Sequence, residues 1–230
     1  MMTNNDNHSQ AALLDCIEMN PPTEPKLSII WLHGLGADGS DFVPVADELQ
    51  SADLPIRFVF PHAPTRPVTI NQGYVMRAWF DIASFQFDQG IDEKGIQQSV
   101  KQVQDLIEHE LSLGMPAEKI ILAGFSQGAV IAILTGLTYP KRLAGIIALS
   151  GFVPMANQIM QKISPVNRQI PIFLGHGTED PIVPFMLGQI THSGLQQAGL
   201  AVSWHAYQGM PHSVCEEEIR DIQRWIGSVG

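Results

Sequence analysis

Cysteine and positive charge are both scarce in this sequence. Its 230 residues include two cysteines, Cys16 and Cys215, which almost the whole chain separates. This spacing fits neither a disulfide framework nor a zinc site with paired cysteine ligands, so we expect a reducing compartment. Lysine and arginine total 13 against 23 acidic residues, which gives a net charge of −10, and the basic residues form no cluster. A nucleic-acid partner is therefore not expected.

Long apolar runs are also missing. No uncharged apolar segment approaches the roughly 20 residues that a membrane-spanning helix needs, even in the apolar stretch at residues 128–137. The first residues are polar and lack lysine and arginine, and the apolar stretch at residues 11–14 is too short for the core of a signal peptide. We expect a soluble, cytoplasmic protein with no integral membrane segment.

The composition fits one globular domain. Hydrophobic residues make up 45% of the chain and charged residues 16%, a balance that argues against extended disorder. No internal repeat and no Ser/Gly-rich linker divides the chain. We predict a polar N-terminal lead at residues 1–25, with a possible edge strand at residues 11–19, followed by a single domain at residues 26–230.

Short apolar runs alternate with helix patterns along this domain. Continuous apolar runs are typical of strands buried on both faces of a sheet, and they cover residues 29–32, 57–60, 120–123, 146–149, 170–174 and 202–207. Helices are predicted along the apolar stripe at residues 96–111, with Asp92 as its cap and Gly114 as its end, and at residues 127–138. A capping box of Ser213 and Glu216 predicts a last helix to about residue 226. The alternation predicts an α/β fold, an open and mainly parallel sheet with helices on both faces.

The segment Gly-Phe-Ser-Gln-Gly at residues 124–128 matches Gly-x-Ser-x-Gly. The bare pattern is a weak signal, but here it lies between a predicted strand and a predicted helix, where it forms a sharp turn that exposes a serine. Ser126 would then sit at a helix N-terminus, where free backbone N–H groups favour a developing oxyanion. We predict that Ser126 is a nucleophile. The alternative is a plain helix cap after a buried strand.

A serine nucleophile needs a base, and the base needs an acid to orient it. Glu179 and Asp180 follow one predicted strand and His212 follows the next, so both groups lie at the carboxyl end of the sheet, where open α/β sheets place their sites. The order serine, acid, histidine is the order in α/β-hydrolases. The pattern leaves the choice between Glu179 and Asp180 open. His176 is an alternative base, but it precedes the acid and fits a structural role better.

The glycine-rich segment at residues 32–39 follows the first strong strand and lets backbone amides approach a ligand closely. The N–H groups of Leu35 and Gln127 would supply the two donors of an oxyanion hole. The segment lacks the spacing and the Gly-Lys-Ser/Thr ending of nucleotide-binding loops, and the eight histidines show no His-Glu-x-x-His pairing. We expect no metal and no cofactor.

Six segments spread over most of the chain are similar to signatures of one family. They are Leu-His-Gly-Leu-Gly-Ala-Asp-Gly from Leu32, Phe-Pro-His-Ala-Pro from Phe60, Arg-Ala-Trp-Phe-Asp from Arg77, Gly-Phe-Ser-Gln-Gly from Gly124, His-Gly-x-x-Asp-Pro from His176 and His-Ser-Val-Cys from His212. Together they resemble the carboxylesterase and acyl-protein thioesterase group, also called phospholipase/carboxylesterase, of the α/β-hydrolases. The resemblance implies the α/β-hydrolase fold with a minimal cap.

The resemblance also implies residue roles. Ser126 would be the nucleophile, His212 the base and Asp180, rather than Glu179, the acid, with the amides of Leu35 and Gln127 as the oxyanion hole. The candidates for substrate contact are Trp79 and Ile182, which fall where the family lines its acyl pocket, and also Phe152 and Met76.

Two residues depart from the family pattern. Ala129 stands where a glycine-type residue is usual, and Pro211 replaces the usual glycine before the histidine. Pro211 is expected to alter or stiffen the loop that carries His212 without abolishing activity.

The activity that the resemblance implies is two-stage acyl transfer from an ester, without a cofactor. The substrates that it covers are short-chain carboxylic esters, lysophospholipids and acylated cysteines of proteins, and it implies a homodimer. The irregular stretch at residues 61–89 is rich in apolar residues, and we interpret residues 65–80 as a lid that meets the acyl chain. A non-catalytic binding protein with the same fold is the alternative, although such proteins normally show a broken triad.

Overall fold

A seven-stranded sheet lies at the centre of the protein. The computed structural model describes residues 13–50, 53–84, 90–154 and 161–229. The strands of the sheet are β1 (Cys16–Met19), β2 (Leu27–Leu32), β3 (Ile56–Pro61), β6 (Ile120–Phe125), β7 (Gly145–Leu149), β8 (Ile172–Gly177) and β9 (Val202–Tyr207). They lie in the order β1-β3-β2-β6-β7-β8-β9. β1 pairs antiparallel with β3, and the other neighbours run parallel.

Helices cover both faces of this sheet because its strands are apolar on both faces. The helices are α1 (Val43–Leu49), α2 (Glu93–Ser112), α3 (Gln127–Thr138), α4 (Phe185–Gln197) and α5 (Glu216–Val229). In β2, Leu27, Ile29 and Trp31 pack with α1 and α5, whereas Ile30 and Leu32 pack with α2 and α3. Because successive side chains of a strand point to opposite faces of the sheet, β2 contributes to the hydrophobic core on each face.

Most of the elements agree with the sequence predictions. Each of the six predicted strands coincides with an observed strand, although the run at residues 170–174 becomes β8 two residues later and ends at Gly177. The Asp92 side chain accepts a hydrogen bond from Gly95 N–H at 2.9 Å, and Gly114 follows α2 with a φ of 96°. Both ends predicted for that helix are confirmed.

Two sequence predictions are wrong. α5 begins at Glu216 rather than at a capping box on Ser213, and its first turn is closed by Ile219 N–H donating to the Cys215 carbonyl at 3.1 Å. The stretch predicted to be irregular contains a hairpin, in which β4 (Thr65–Val68) pairs antiparallel with β5 (Tyr74–Arg77). Residues 85–89 of that stretch, and residues 11 and 12 of the predicted edge strand, lie outside the described residues.

The topology fixes where a site can form. β2 has β3 on one side and β6 on the other, so the order of the strands along the chain reverses at this point. Open α/β sheets bind ligands at the carboxyl ends of their strands beside such a reversal. The segments that follow β2 and β6 therefore meet there, next to those that follow β8 and β9.

Candidate active site

Ser126 occupies a strained turn between β6 and α3. Its φ of 54° and ψ of −117° are rare for a residue with a side chain. The two glycines around it have no room for a side chain, because a Cβ on Gly124 would lie 2.4 Å from the Gly128 backbone and a Cβ on Gly128 would lie 2.3 Å from the Leu32 carbonyl oxygen. Close backbone approach thus explains both glycines of the motif.

The neighbouring strand holds the turn in place. Ser126 N–H donates to the Leu149 carbonyl at 2.8 Å. Ala129, which departs from the family pattern, is fully buried, and its methyl group faces Gly151, where an added Cβ would lie only 2.5 Å from it. The extra methyl group at residue 129 is therefore accommodated by a missing side chain at residue 151.

Asp180 lies in the turn after β8 and is the buried member of the acidic pair, whereas Glu179 is exposed. Its Oδ1 accepts hydrogen bonds from the N–H groups of Ile182 and Val183, both at 2.8 Å. Its Oδ2 lies 2.7 Å from His212 Nδ1. Of the two acidic residues between which the sequence pattern left the choice open, Asp180 contacts the histidine and Glu179 is exposed.

The electrostatic environment keeps this carboxyl group ionised. Burial alone would raise the pKa of Asp180, but the hydrogen bonds from His176, His212, Val183 and Ile182 outweigh burial and hold that pKa well below its ordinary value. An ionised Asp180 accepts a hydrogen bond from His212 Nδ1–H. The other ring nitrogen, Nε2, is then left without a proton and can act as a base.

His212 is held by backbone contacts between its loop and the turn that carries Asp180. Glu179 N–H donates to the Met210 carbonyl at 3.1 Å, and Thr178 N–H donates to the Tyr207 carbonyl at 3.0 Å. The imidazole also lies 4.7 Å from the Phe125 ring, measured between ring centroids. Pro211, which departs from the family pattern, is exposed. The contact between His212 and Asp180 forms with proline at this position.

His176, the alternative base, serves as a support for Asp180. Its side chain is fully buried, and its Nε2 lies 2.9 Å from the Val183 carbonyl and 3.4 Å from Asp180 Oδ2. Gly188 of α4 packs against its ring, where an added Cβ would lie 2.6 Å from His176 Nδ1. The structural role predicted for His176 fits this position, but no pattern of neighbouring residues indicated that it would face the acid.

The backbone N–H groups of Leu35 and Gln127 belong to different elements, and both residues line the same cavity as Ser126. The Leu35 N–H has no acceptor among the residues that the structure describes, and the next residue, Gly36, donates to the Arg77 carbonyl at 2.9 Å. Gln127 is the first residue of α3, where an N–H lacks an intrahelical acceptor. Both predicted donors are therefore available to a ligand.

A buried network that sequence reasoning missed connects Gln127 with His33, two residues before Leu35. The Gln127 side chain accepts from Trp79 N–H and donates to the Phe80 carbonyl, both at 2.7 Å. The Trp79 indole N–H donates to the His33 carbonyl at 2.9 Å. His33 Nε2 accepts from Ala63 N–H at 3.0 Å. Burial lowers the pKa of His33 to about 4, so the ring is neutral at pH 7 and keeps this acceptor.

One cavity of about 310 Å³ brings the candidates together. Of the predicted site residues, its lining includes Ser126, His212, Leu35, Gln127, Ile182 and Phe152. Asp180 lies behind His212. Trp79 and Met76, predicted to contact substrate, are not part of the lining: Trp79 is fully buried in the network, and Met76 lies beside Gly36, where an added Cβ would be 3.6 Å from its sulfur.

Within residues 13–50, 53–84, 90–154 and 161–229, no group of three or more His, Cys, Asp or Glu side chains is placed to hold a metal ion. No helix in the same part of the chain has both the length and the apolar character to cross a membrane.

The parallel sheet, the serine at the strand-to-helix turn and the order serine, aspartate, histidine define the class: this protein is an α/β-hydrolase. The family follows from comparison with known proteins. The chain belongs to the phospholipase/carboxylesterase family, whose model matches residues 15–229. It is therefore a serine hydrolase that acts on acyl esters, and the family predicted from the six segments is confirmed.

Relatives from fungi and plants are similar to most of the chain. Acyl-protein thioesterase 1 of Cryptococcus neoformans is 37% identical over 226 residues, which cover 91% of this chain and 95% of the relative. Carboxylesterase SOBER1 of Arabidopsis thaliana is 38% identical over 201 residues, which cover 86% of this chain and 88% of the relative. Its crystal structure covers 88% of this chain and 98% of its own, with a TM-score of 0.83. For acyl-protein thioesterase 2 of Zea mays the TM-score is 0.82 at 30% identity, with 94% and 99% of the two chains covered.

Proposed function

We propose that the protein hydrolyses acyl esters through a triad of Ser126, His212 and Asp180. The observation that carries the proposal is the contact of 2.7 Å between His212 Nδ1 and Asp180 Oδ2, formed where His212 lines the same cavity as Ser126. This contact leaves His212 Nε2 free to take a proton from the serine hydroxyl. The strained φ of Ser126 supports the same role, because such backbone strain concentrates at functional sites.

The reaction proceeds in two stages. Ser126 Oγ forms a bond to the ester carbonyl carbon while its proton moves to His212 Nε2, and the negative oxygen that results is stabilised by the N–H groups of Leu35 and Gln127. The bond to the alcohol then breaks, and the alcohol leaves with the proton from His212. In the second stage a water molecule gives its proton to His212 and attacks the acyl-enzyme. This releases the carboxylic acid and restores Ser126.

The cavity bears on the choice of substrate. Its volume of about 310 Å³ lies near the lower end of the range of about 300 to 1,000 Å³ for small-molecule sites. Its lining includes apolar side chains such as Phe80, Ile82, Ile91 and Val130. We therefore propose esters of short and medium acyl chains as the main substrates, ahead of lysophospholipids and of the acylated proteins that the names of the fungal and maize relatives suggest.

Two further expectations are kept as proposals. The homodimer rests on family resemblance. The cytoplasmic location is supported by Cys16 and Cys215, which are both free thiols, as expected in a reducing compartment.

Replacement of the nucleophile tests the proposed function. We expect Ser126→Ala to lower kcat for p-nitrophenyl butyrate by roughly 10⁵- to 10⁶-fold, because the acyl-enzyme cannot form. Ser112→Ala is the matched control, since Ser112 is exposed at the end of α2, and it should keep the rate of the parent protein. Ester hydrolysis at the parental rate by folded Ser126→Ala would refute the proposal.

A further inference from the structure

Asp41 places a negative charge at the cavity. It lies between β2 and α1, it is exposed, and it belongs to the cavity lining. The lining contains no lysine and no arginine among the residues that the structure describes. Asp41 is therefore the charged group that a substrate in this cavity would meet first.

The two ends of the cavity differ in exposure. Ile96 of α2 and Val130 of α3 are buried, with 4% and 1% of their surface exposed, and they form the apolar floor. Asp41 and Ile182 are exposed and form the mouth. If Ser126 is the nucleophile, as proposed above, the acyl chain occupies the floor because burial of its methylene groups is favourable. The leaving alcohol then points to the mouth, toward Asp41.

The carboxylate of Asp41 has no compensating partner. Its side chain forms no hydrogen bond and no ion pair with the described residues. Partial burial of the carboxyl group, and then the charge of Asp38, raise the pKa of Asp41, because both make the ionised form less favourable. The neighbouring Asp38 is itself occupied: its Oδ1 accepts hydrogen bonds from Ser40 N–H at 2.8 Å and from the Ser40 hydroxyl at 2.6 Å. A cation near Asp41 would relieve this unfavourable environment.

We propose that Asp41 determines leaving-group specificity, and that it favours esters whose alcohol carries a positive charge near the ester oxygen. The ligand class is an acyl ester of an ammonium alcohol, either quaternary or primary. This inference rests on the proposed function, since the direction of the leaving group is set by attack from Ser126. It adds a charge preference that an apolar acyl pocket alone would not produce.

A pair of substrates with the same shape isolates the charge. Butyrylcholine carries a quaternary ammonium group where 3,3-dimethylbutyl butyrate carries a neutral carbon. The ratio of kcat/KM for the cationic ester to kcat/KM for the neutral ester is measured at low ionic strength. We expect Asp41→Asn to lower this ratio by about 2- to 5-fold, the size expected for a partly screened pair of opposite charges. Added salt should reduce the ratio in the parent protein more than in Asp41→Asn.

Matched variants separate a local effect from net charge. Asp47→Asn removes the same charge from an exposed position of α1 outside the cavity lining, and it should keep the parental ratio. Asp41→Glu retains the charge and should keep most of the parental preference for the cationic ester. An unchanged ratio in Asp41→Asn, or an equal fall in Asp47→Asn, would overturn the inference alone. Failure of the parent protein to hydrolyse either ester would overturn the proposed function and this inference with it.

Discussion

Replacement of Asp180 by asparagine would test how the triad works, because it changes one heavy atom and leaves the shape of the side chain intact. In the parent protein Asp180 Oδ1 accepts hydrogen bonds from the backbone N–H groups of Ile182 and Val183, both at 2.8 Å. The side-chain carbonyl of an asparagine can accept the same two bonds. The amide nitrogen then takes the place of Oδ2, which lies 2.7 Å from His212 Nδ1. Because an amide NH₂ only donates, His212 must accept on Nδ1 and carry its proton on Nε2. That tautomer cannot take a proton from Ser126.

The expected loss in kcat is on the order of 10⁴-fold, as for other triads forced into the wrong tautomer, which corresponds to about 5 kcal/mol of transition-state stabilisation. The assay is steady-state hydrolysis of p-nitrophenyl butyrate. Glu179→Gln is the matched control, because it makes the same change one residue earlier at an exposed side chain, and it should stay within about twofold of the parent rate. A loss in Asp180→Asn smaller than tenfold, or a comparable loss in Glu179→Gln, would refute this reasoning.

Two further predictions concern buried groups. Trp79→Phe removes the hydrogen bond to the His33 carbonyl, so it should lower kcat for all esters by roughly 3- to 10-fold through a misplaced oxyanion hole. A panel of acyl chain lengths should keep its optimum, since Trp79 does not line the cavity, and a shifted optimum would contradict this. Burial, and then the charge of Asp221, raise the pKa of Glu218 to about 8, above the pKa of this carboxyl group in the unfolded chain. The contribution of Glu218 to the free energy of unfolding is therefore complete below about pH 4.5 and is lost as the pH rises toward 8. Urea denaturation should therefore show that Glu218→Gln becomes more stable relative to the parent between pH 5 and pH 8, by on the order of a few kcal/mol, whereas Glu217→Gln at the exposed neighbouring position should show no such trend.

The strands and the nucleophile turn could be predicted because their signals are local. Continuous apolar runs mark strands buried on both faces, and Gly124 and Gly128 mark the positions where backbone groups approach too closely for any side chain. The order of serine, acid and histidine along the chain then gives the class. These features depend on only a few neighbouring residues, and they can therefore be recognised in one sequence.

Elements without a local signal were missed. α1 has seven residues, no side-chain cap and a proline at its start, and α4 carries no charged residue and two glycines, so neither shows a clear amphipathic pattern. The hairpin of β4 and β5 contains Pro67 and closes through Gln72 and Gly73 at positive φ, an arrangement that the pattern of apolar residues does not reveal.

The contacts that distinguish similar residues arise between distant segments. Asp180 and Glu179 are adjacent in sequence, and only burial beside His212 separates them. The network of His33, Trp79 and Gln127 joins residues 46 to 48 positions apart. No spacing rule in one sequence predicts such contacts, because they depend on how whole elements pack.

The central claim, that Ser126 forms the acyl-enzyme, is tested most directly by covalent labelling with a fluorophosphonate and peptide mapping of the modified protein by mass spectrometry. The account predicts one adduct per chain, located on Ser126, absent from Ser126→Ala and formed far more slowly in Asp180→Asn. An adduct on another serine, or labelling of Ser126→Ala at the parental rate, would contradict it.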